Sequence, residues 1–166
     1  MDRSTQKLLA PALLSRLRAD FALDWRGIHG APHWARVRYN GLVLARLAGA
    51  NARVVELFAF LHDSRREDDG EDPGHGERAA TRAREWNGRF FSLDRGELRL
   101  LELACREHSD GRTRADPTVQ SCWDADRLDL GRVGIRPNPR YLCTEAARSP
   151  ELIRRAYARS IATPPW

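Results

Sequence analysis

The stretch from Ala52 to Asp63 constrains this chain more than any other. Val54, Val55, Leu57, Phe58, Ala59, Phe60 and Leu61 leave a helix there almost no polar side, and a helix that is apolar all round has to be buried. The pattern predicts a central helix with the rest of the chain packed around it. Its end is chemically unusual, because His62 and Asp63 stand side by side. His62 follows Phe58 by four positions and Val55 by seven, so its ring points toward the core. Burying the Asp63 carboxylate is costly unless a positive charge meets it. That charge is either a divalent cation, for which imidazole and carboxylate are ordinary ligands, or a guanidinium, with Arg36, Arg65 and Arg127 available.

The remaining pattern is helical nearly throughout, since Val, Ile and Thr are sparse and never alternate over a strand's length. Leu8, Leu9, Leu13, Leu14 and Leu17 form one stripe of a first helix over 4–20, with Pro11 marking a late start or a kink. Gly27, Gly30 and Pro32 make a loop. A second helix runs from about His33 to Leu47, with Val37, Leu44 and Ala48 on the face of His33 and Gly49 at its end. Residues 64–76, with Gly70, Pro73 and Gly74, read as a loop over the central helix's end. A fourth helix spans about His75 to Asn87. Ser92 is the expected N-cap of a fifth, with Glu97 nearby, running through Leu98, Leu101, Leu103 and Ala104 to His108. Asp116-Pro117 starts a sixth, carrying Trp123 and Asp126, and Ser149-Pro150-Glu151 starts the last.

No run of ~18 apolar residues is present, so no membrane span is expected. The N-terminal segment makes a poor secretory signal, and the cytoplasm is the expected compartment. Cys105, Cys122 and Cys143 form no close pair and read as buried thiols in a reducing environment. The net charge is +5, and Lys7 is the sole lysine among 28 basic residues. Guanidinium binds phosphate through a fork of donors, but a GC-rich genome gives the same bias. The arginines are interleaved with acids and lack alternating aromatics, which argues against a nucleic-acid surface.

Five histidines are present, and four fall into an order. His33 opens one predicted helix, His62-Asp63 closes the next, His75 and His108 follow, and Asp126 sits in Ala125-Asp126-Arg127-Leu128-Asp129. A histidine, a His-Asp doublet and a distant aspartate resemble the HD-domain metal-dependent phosphohydrolases over about residues 29–135. The resemblance implies one all-α, bundle-like domain of six or seven helices over 1–166, with 136–166 as a C-terminal extension. It implies His33, His62, Asp63 and Asp126 as metal ligands, with Asp63 indispensable to catalysis. His29, in the loop, reads as lying behind the ligands or as merely exposed, and Asp129, three after Asp126 and near the same side of a helix, competes with it or else orients a ligand or binds substrate. His75 and His108 resemble the extra histidines that hold a second metal in some members. The alternative for them is phosphate contact or proton donation. Asp124, two before Asp126, points elsewhere on a helix.

The implied activity is hydrolysis of a phosphate ester or phosphoanhydride, on a small phosphorylated molecule such as a nucleotide. One or two divalent ions (Mn, Fe, Zn, Co, Ni or Mg) would lower the pKa of bound water and polarise the phosphoryl oxygen. Arg65, Arg66 and Arg127 are the expected phosphate contacts. The alternatives are a regulatory protein that binds metal and nucleotide without turnover, and a basic nucleic-acid-binding helical protein. Two branches of the family fit poorly. Alarmone hydrolases carry a Glu-Asp pair where this chain has Arg66 and Glu67, and an asparagine where it has Leu130. Deoxynucleoside monophosphatases carry a glutamate at the position of Arg66.

Overall fold

The structure, a computed structural model, describes residues 11–162. It is all-α, with α1 (Pro11–Asp20), α2 (Ala31–Ala48), α3 (Ala52–Leu61), α4 (His75–Trp86), α5 (Arg95–Glu107), α6 (Pro117–Arg127) and α7 (Pro150–Ile161). Two short 3-10 turns, Leu130–Val133 and Pro139–Tyr141, lie between the last two helices. There is no β-strand among the described residues, only an isolated bridge between Asn87 and Phe91. No described helix is long and apolar enough to cross a membrane. The first seven positions of the expected 4–20 helix lie outside the described residues.

The most apolar segment takes the central place. α3 contacts α2, α4, α5 and α6, and Val54, Val55, Leu57, Phe58, Ala59 and Leu61 are all buried. Asn51 starts it by accepting from the backbone N–H groups of Arg53 and Val54, which satisfies donors that a first turn leaves free. It ends at Leu61, not Asp63, because His62 is the capping residue and the chain then turns.

Two glycines set how closely the helices approach. A β-carbon on Gly41 of α2 would meet Val55 Cγ1 at 2.5 Å and Ala125 Cβ at 3.4 Å. α2 can therefore lie against α3 and α6 at once. On Gly76 it would meet the carbonyl oxygens of Arg106 and Cys105 at 2.6 and 2.7 Å, which lets the start of α4 touch the end of α5. These two crossings bring residues 33, 62, 126, 75 and 108 toward one another.

The cap of α5 differs from expectation. Asp94, not Ser92, accepts from Gly96 and Glu97 N–H, while the Glu97 side chain accepts from Asp94 N–H. The reciprocal arrangement needs an acceptor three positions before the glutamate, and Ser92 is five before it. Cys105, Cys122 and Cys143 are free and buried.

Asp124 ties down the C-terminal segment. It is fully buried and accepts from Cys143 N–H at 2.6 Å, Thr144 N–H at 2.8 Å and the Thr144 hydroxyl at 2.8 Å. Removing a buried acceptor costs about 1–3 kcal/mol for each donor left unpaired. Asp124→Ala is expected to lower unfolding free energy by at least ~3 kcal/mol, read from denaturant midpoints. A loss under ~1 kcal/mol would show that water replaces the carboxylate.

Candidate metal centre

Four histidines share one design. In each, Nδ1 faces an atom that can only accept, so Nδ1 carries the proton and Nε2 offers its lone pair. His33, in the first turn of α2, donates to Asp129 Oδ2 at 2.7 Å. His62 donates to the Phe58 carbonyl one turn back at 3.1 Å. His108, capping α5, donates to the Cys105 carbonyl at 2.7 Å. His75, opening α4, faces the Asp72 carbonyl of the preceding loop. The tautomer is thus dictated from behind, as it is for histidines that ligate metals.

The Nε2 atoms then meet in pairs. His33 and His62 approach to 3.0 Å, and His75 and His108 to 2.9 Å. Two lone pairs at that separation repel unless a cation lies between them. Asp63 stands between the pairs. Its Oδ2 is 3.7 Å from Nε2 of both His33 and His62. Its Oδ1 is 3.4 Å from His75 Nε2 and 3.5 Å from His108 Nε2. Asp126 Oδ1 closes the first group, 3.3 Å from His33 Nε2 and 3.9 Å from His62 Nε2. That oxygen is buried and has no hydrogen-bond partner among the described residues.

These separations test the fit to a metal. Bonds of about 2.0–2.2 Å at tetrahedral or octahedral angles place neighbouring donors roughly 3.0–3.5 Å apart. The observed distances cluster at and slightly beyond that range. His33, His62 and Asp63 form one buried group able to hold an ion, and Asp63, His75 and His108 form another. The orphaned Asp126 oxygen and the opposed lone pairs both call for a cation there.

For His62 and His75 the protonation states agree. Burial lowers the His62 pKa from 6.5 to about 3, against the pull of Asp63 and Asp126, so the ring is neutral. Burial also lowers His75, helped by His108. Burial opposes ionisation of Asp63, but His62, His108 and His29 outweigh it and hold the carboxyl well below its ordinary range. Asp126 is held low too, with His33, Arg132 and His62 overcoming burial. His108 moves the other way: burial lowers it, but the contact with Asp63 raises it more.

Residues behind the donors hold them. His29 Nδ1 donates to Asp63 Oδ2 at 2.7 Å, and its Nε2 lies 3.2 Å from the Asp69 carbonyl. Asp129 accepts from His33 and also from Arg36 Nε at 2.6 Å. Arg36 was one candidate to neutralise Asp63; it meets Asp129 instead, because it lies one turn after His33 on the same face of α2. Arg66 Nε is 3.2 Å from Asp63 Oδ1.

Two expected phosphate contacts are not at the centre. Arg127 is buried and donates to the Tyr141 carbonyl at 2.9 Å, beside Cys143. It follows Asp126 directly, and on a helix adjacent side chains diverge by about 100°. Arg65 lines a separate cleft beside α4. Arg132 is the residue that sequence reasoning missed. Its Nε donates to the Ile28 carbonyl at 2.9 Å, its Nη1 to the Asp129 carbonyl at 3.2 Å, and its Nη2 lies 3.8 Å from Asp126 Oδ1. The signal for it was its spacing of three after Asp129. Ser109 Oγ, 3.4 Å from His75 Nε2, is a second such neighbour.

Comparison with protein-family models, curated proteins and solved structures finds no match to this chain. Fold and geometry define an all-α protein with a buried His/Asp cluster that could hold a metal ion.

The cluster makes metal-free stability depend on pH with a definite sign. Because the folded His62 pKa of about 3 lies below 6.5, the unfolded chain takes up a proton that the folded chain refuses. Stability therefore falls as pH drops from 6.5 toward 3, and His75 adds to the fall. His108, shifted up, opposes it, its contribution being present below 6.5 and lost as pH rises through its folded value. Asp63 and Asp126 contribute stability above 3.8 that is lost only as pH falls through their lowered values. In chelator-treated protein, His62 alone supplies a slope of up to about 1.4 kcal/mol per pH unit. Urea midpoints measured across this window should flatten in His62→Gln. An unchanged slope would show that His62 is not held neutral.

Proposed function

We propose that this protein is a metal-dependent phosphohydrolase of the HD type, acting on a phosphate ester or phosphoanhydride of a small molecule such as a nucleotide. The observation that carries the reading is the pair of Nε2-to-Nε2 imidazole contacts on either side of one carboxylate. His33, His62, Asp63 and Asp126 would hold one divalent ion. Asp63 through its other oxygen, with His75 and His108, would hold a second. Bound there, such ions supply Lewis acidity, acidifying water and polarising a phosphoryl oxygen.

The chain's own residues do the rest. Asp129 and the Phe58, Asp72 and Cys105 carbonyls hold the four imidazoles with Nε2 inward. His29 fixes the rotation of the Asp63 carboxylate. The His/Asp cluster is almost dry, and its most exposed member is Asp126, with 16% of its side chain open. Arg132 stands at that edge, anchored through Nε and Nη1 so that Nη2 is left to meet an anion. Arg66, anchored to the Asp68 and Gly70 carbonyls, is the second guanidinium at the centre. Both would neutralise phosphoryl charge as it shifts toward the leaving group. Arg66 stands where two familiar branches carry an acid, which supports a substrate different from theirs.

Metal content and turnover test the proposal separately. Elemental analysis of metal-saturated protein should give about two ions per chain, falling to about one in His75→Ala. On a panel of nucleotides and phosphomonoesters, Asp63→Asn should abolish turnover and release metal while helicity is retained. Arg132→Ala should raise KM by roughly tenfold or more through loss of a charge-assisted contact. Turnover by Asp63→Asn at the wild-type rate would refute the mechanism. Metal binding without turnover on any phosphorylated compound would instead favour a binding protein.

A further inference from the structure

A second cluster of charge lies beside α4, apart from the His/Asp centre. Arg78 and Arg82, one turn apart on α4, and Arg65, from the turn after α3, line a cleft of about 220 Å3 together with Thr81, Glu77 and Glu85. None of the six clustered His and Asp residues lines it.

The charges in this cleft are not balanced. Arg78 is satisfied, its Nη2 lying 2.6 Å from Asp72 Oδ2. Glu77 is engaged by Arg106 at 2.6 Å, and Glu85 is exposed at the rim. Arg65 makes no ion pair among the described residues; only its carbonyl is used, accepting from Arg78 Nε. Arg82 is only 8% exposed and lies over the Trp86 ring at 4.5 Å. Its Nη2 is 3.0 Å from Asp20 Oδ2, an oxygen it shares with Arg16 at 2.9 Å. Its Nη1 is buried with no hydrogen-bond partner among the described residues. A buried charged donor without a partner is costly. Burial and the charge of Arg65 both work against the Arg82 cation.

An anion in the cleft would give Arg65 a partner and screen its charge from Arg82, which lines the same cleft. Paired guanidiniums match the forked acceptor geometry of a tetrahedral oxyanion. The Thr81 hydroxyl adds a donor. The cleft is several times one water's share of about 30 Å3, enough for an oxyanion and a small substituent. We propose that this cleft is a binding site for a phosphoryl-type oxyanion, held by Arg65 and Arg82. The proposal does not depend on the hydrolase reading.

Titration calorimetry with inorganic phosphate on the purified protein tests it. Wild type should show saturable binding, weakened at least about tenfold in Arg65→Glu, where an attractive charge becomes repulsive. Arg65 is only partly buried, so this variant should fold. Arg82→Lys, which keeps the charge but loses the fork, should weaken binding as well. Arg154→Ala, an exposed change on α7 away from both sites, should bind as wild type does. Methyl phosphate separates the sources: tighter binding than inorganic phosphate assigns the cleft to a phosphorylated molecule, and equal or weaker binding assigns it to the free ion. Absence of saturable binding would overturn the site, as would binding that survives Arg65→Glu. Loss of binding in Arg66→Ala and Arg132→Ala with Arg65→Glu unaffected would place the anion at the His/Asp centre and overturn it too.

Discussion

The structure depends on one buried carboxylate. Asp63 emerges from the most apolar helix of the chain and is 2% exposed. A charge in that position survives only if the surroundings supply compensation from several directions. His29 donates to one oxygen and Arg66 to the other, while the two imidazole pairs turn Nε2 toward the carboxylate, an arrangement that a bound cation would complete. Much of the neighbouring architecture serves that arrangement. The loop from α3 to α4 presents its Asp69 and Asp72 carbonyls to His29 and His75. Gly76 lets α4 come close enough to α5 for His75 to reach His108.

The second layer is built mostly from backbone carbonyls. Three of the four inward-facing histidines are oriented by a carbonyl three or four residues back, supplied by the helix for His62 and His108 and by the turn before α4 for His75. Only His33 uses a side chain instead, Asp129, which Arg36 steadies in turn. This makes the orientation of the imidazoles a property of helix ends and of the segments packed against them, and it locks the tautomer that leaves Nε2 free.

The abundance of arginine divides into distinct uses. Arg78 braces the loop through Asp72 and the Arg65 carbonyl. Arg127 holds the C-terminal segment through the Tyr141 carbonyl. Arg66 and Arg132 reach the centre. Arg65, with no ion pair among the described residues, and Arg82, which shares Asp20 with Arg16, line one cleft. A compositional bias toward guanidinium says nothing of which role each will take, because each role is set by the acceptor within reach.

Local pattern determined the helices, the burial of α3, the N-caps at Asp116 and Ser149-Pro150, and the inward direction of His62, since these follow from spacing within one or two turns. The same spacing separated Asp124 from Asp126, and the former became a structural acceptor rather than a donor at the centre. Tertiary structure alone decided which distant groups meet. His33 and Asp129 are 96 positions apart and Arg132 reaches a carbonyl 104 positions away, and no periodicity reports such partners. It also moved Arg65 and Arg127 away from the centre and brought Arg132 to it. A long side chain pairs with whatever acceptor the crossing helices leave beside it, and those crossings are set by how closely α2 passes α3 and α6 at Gly41, and α4 passes α5 at Gly76.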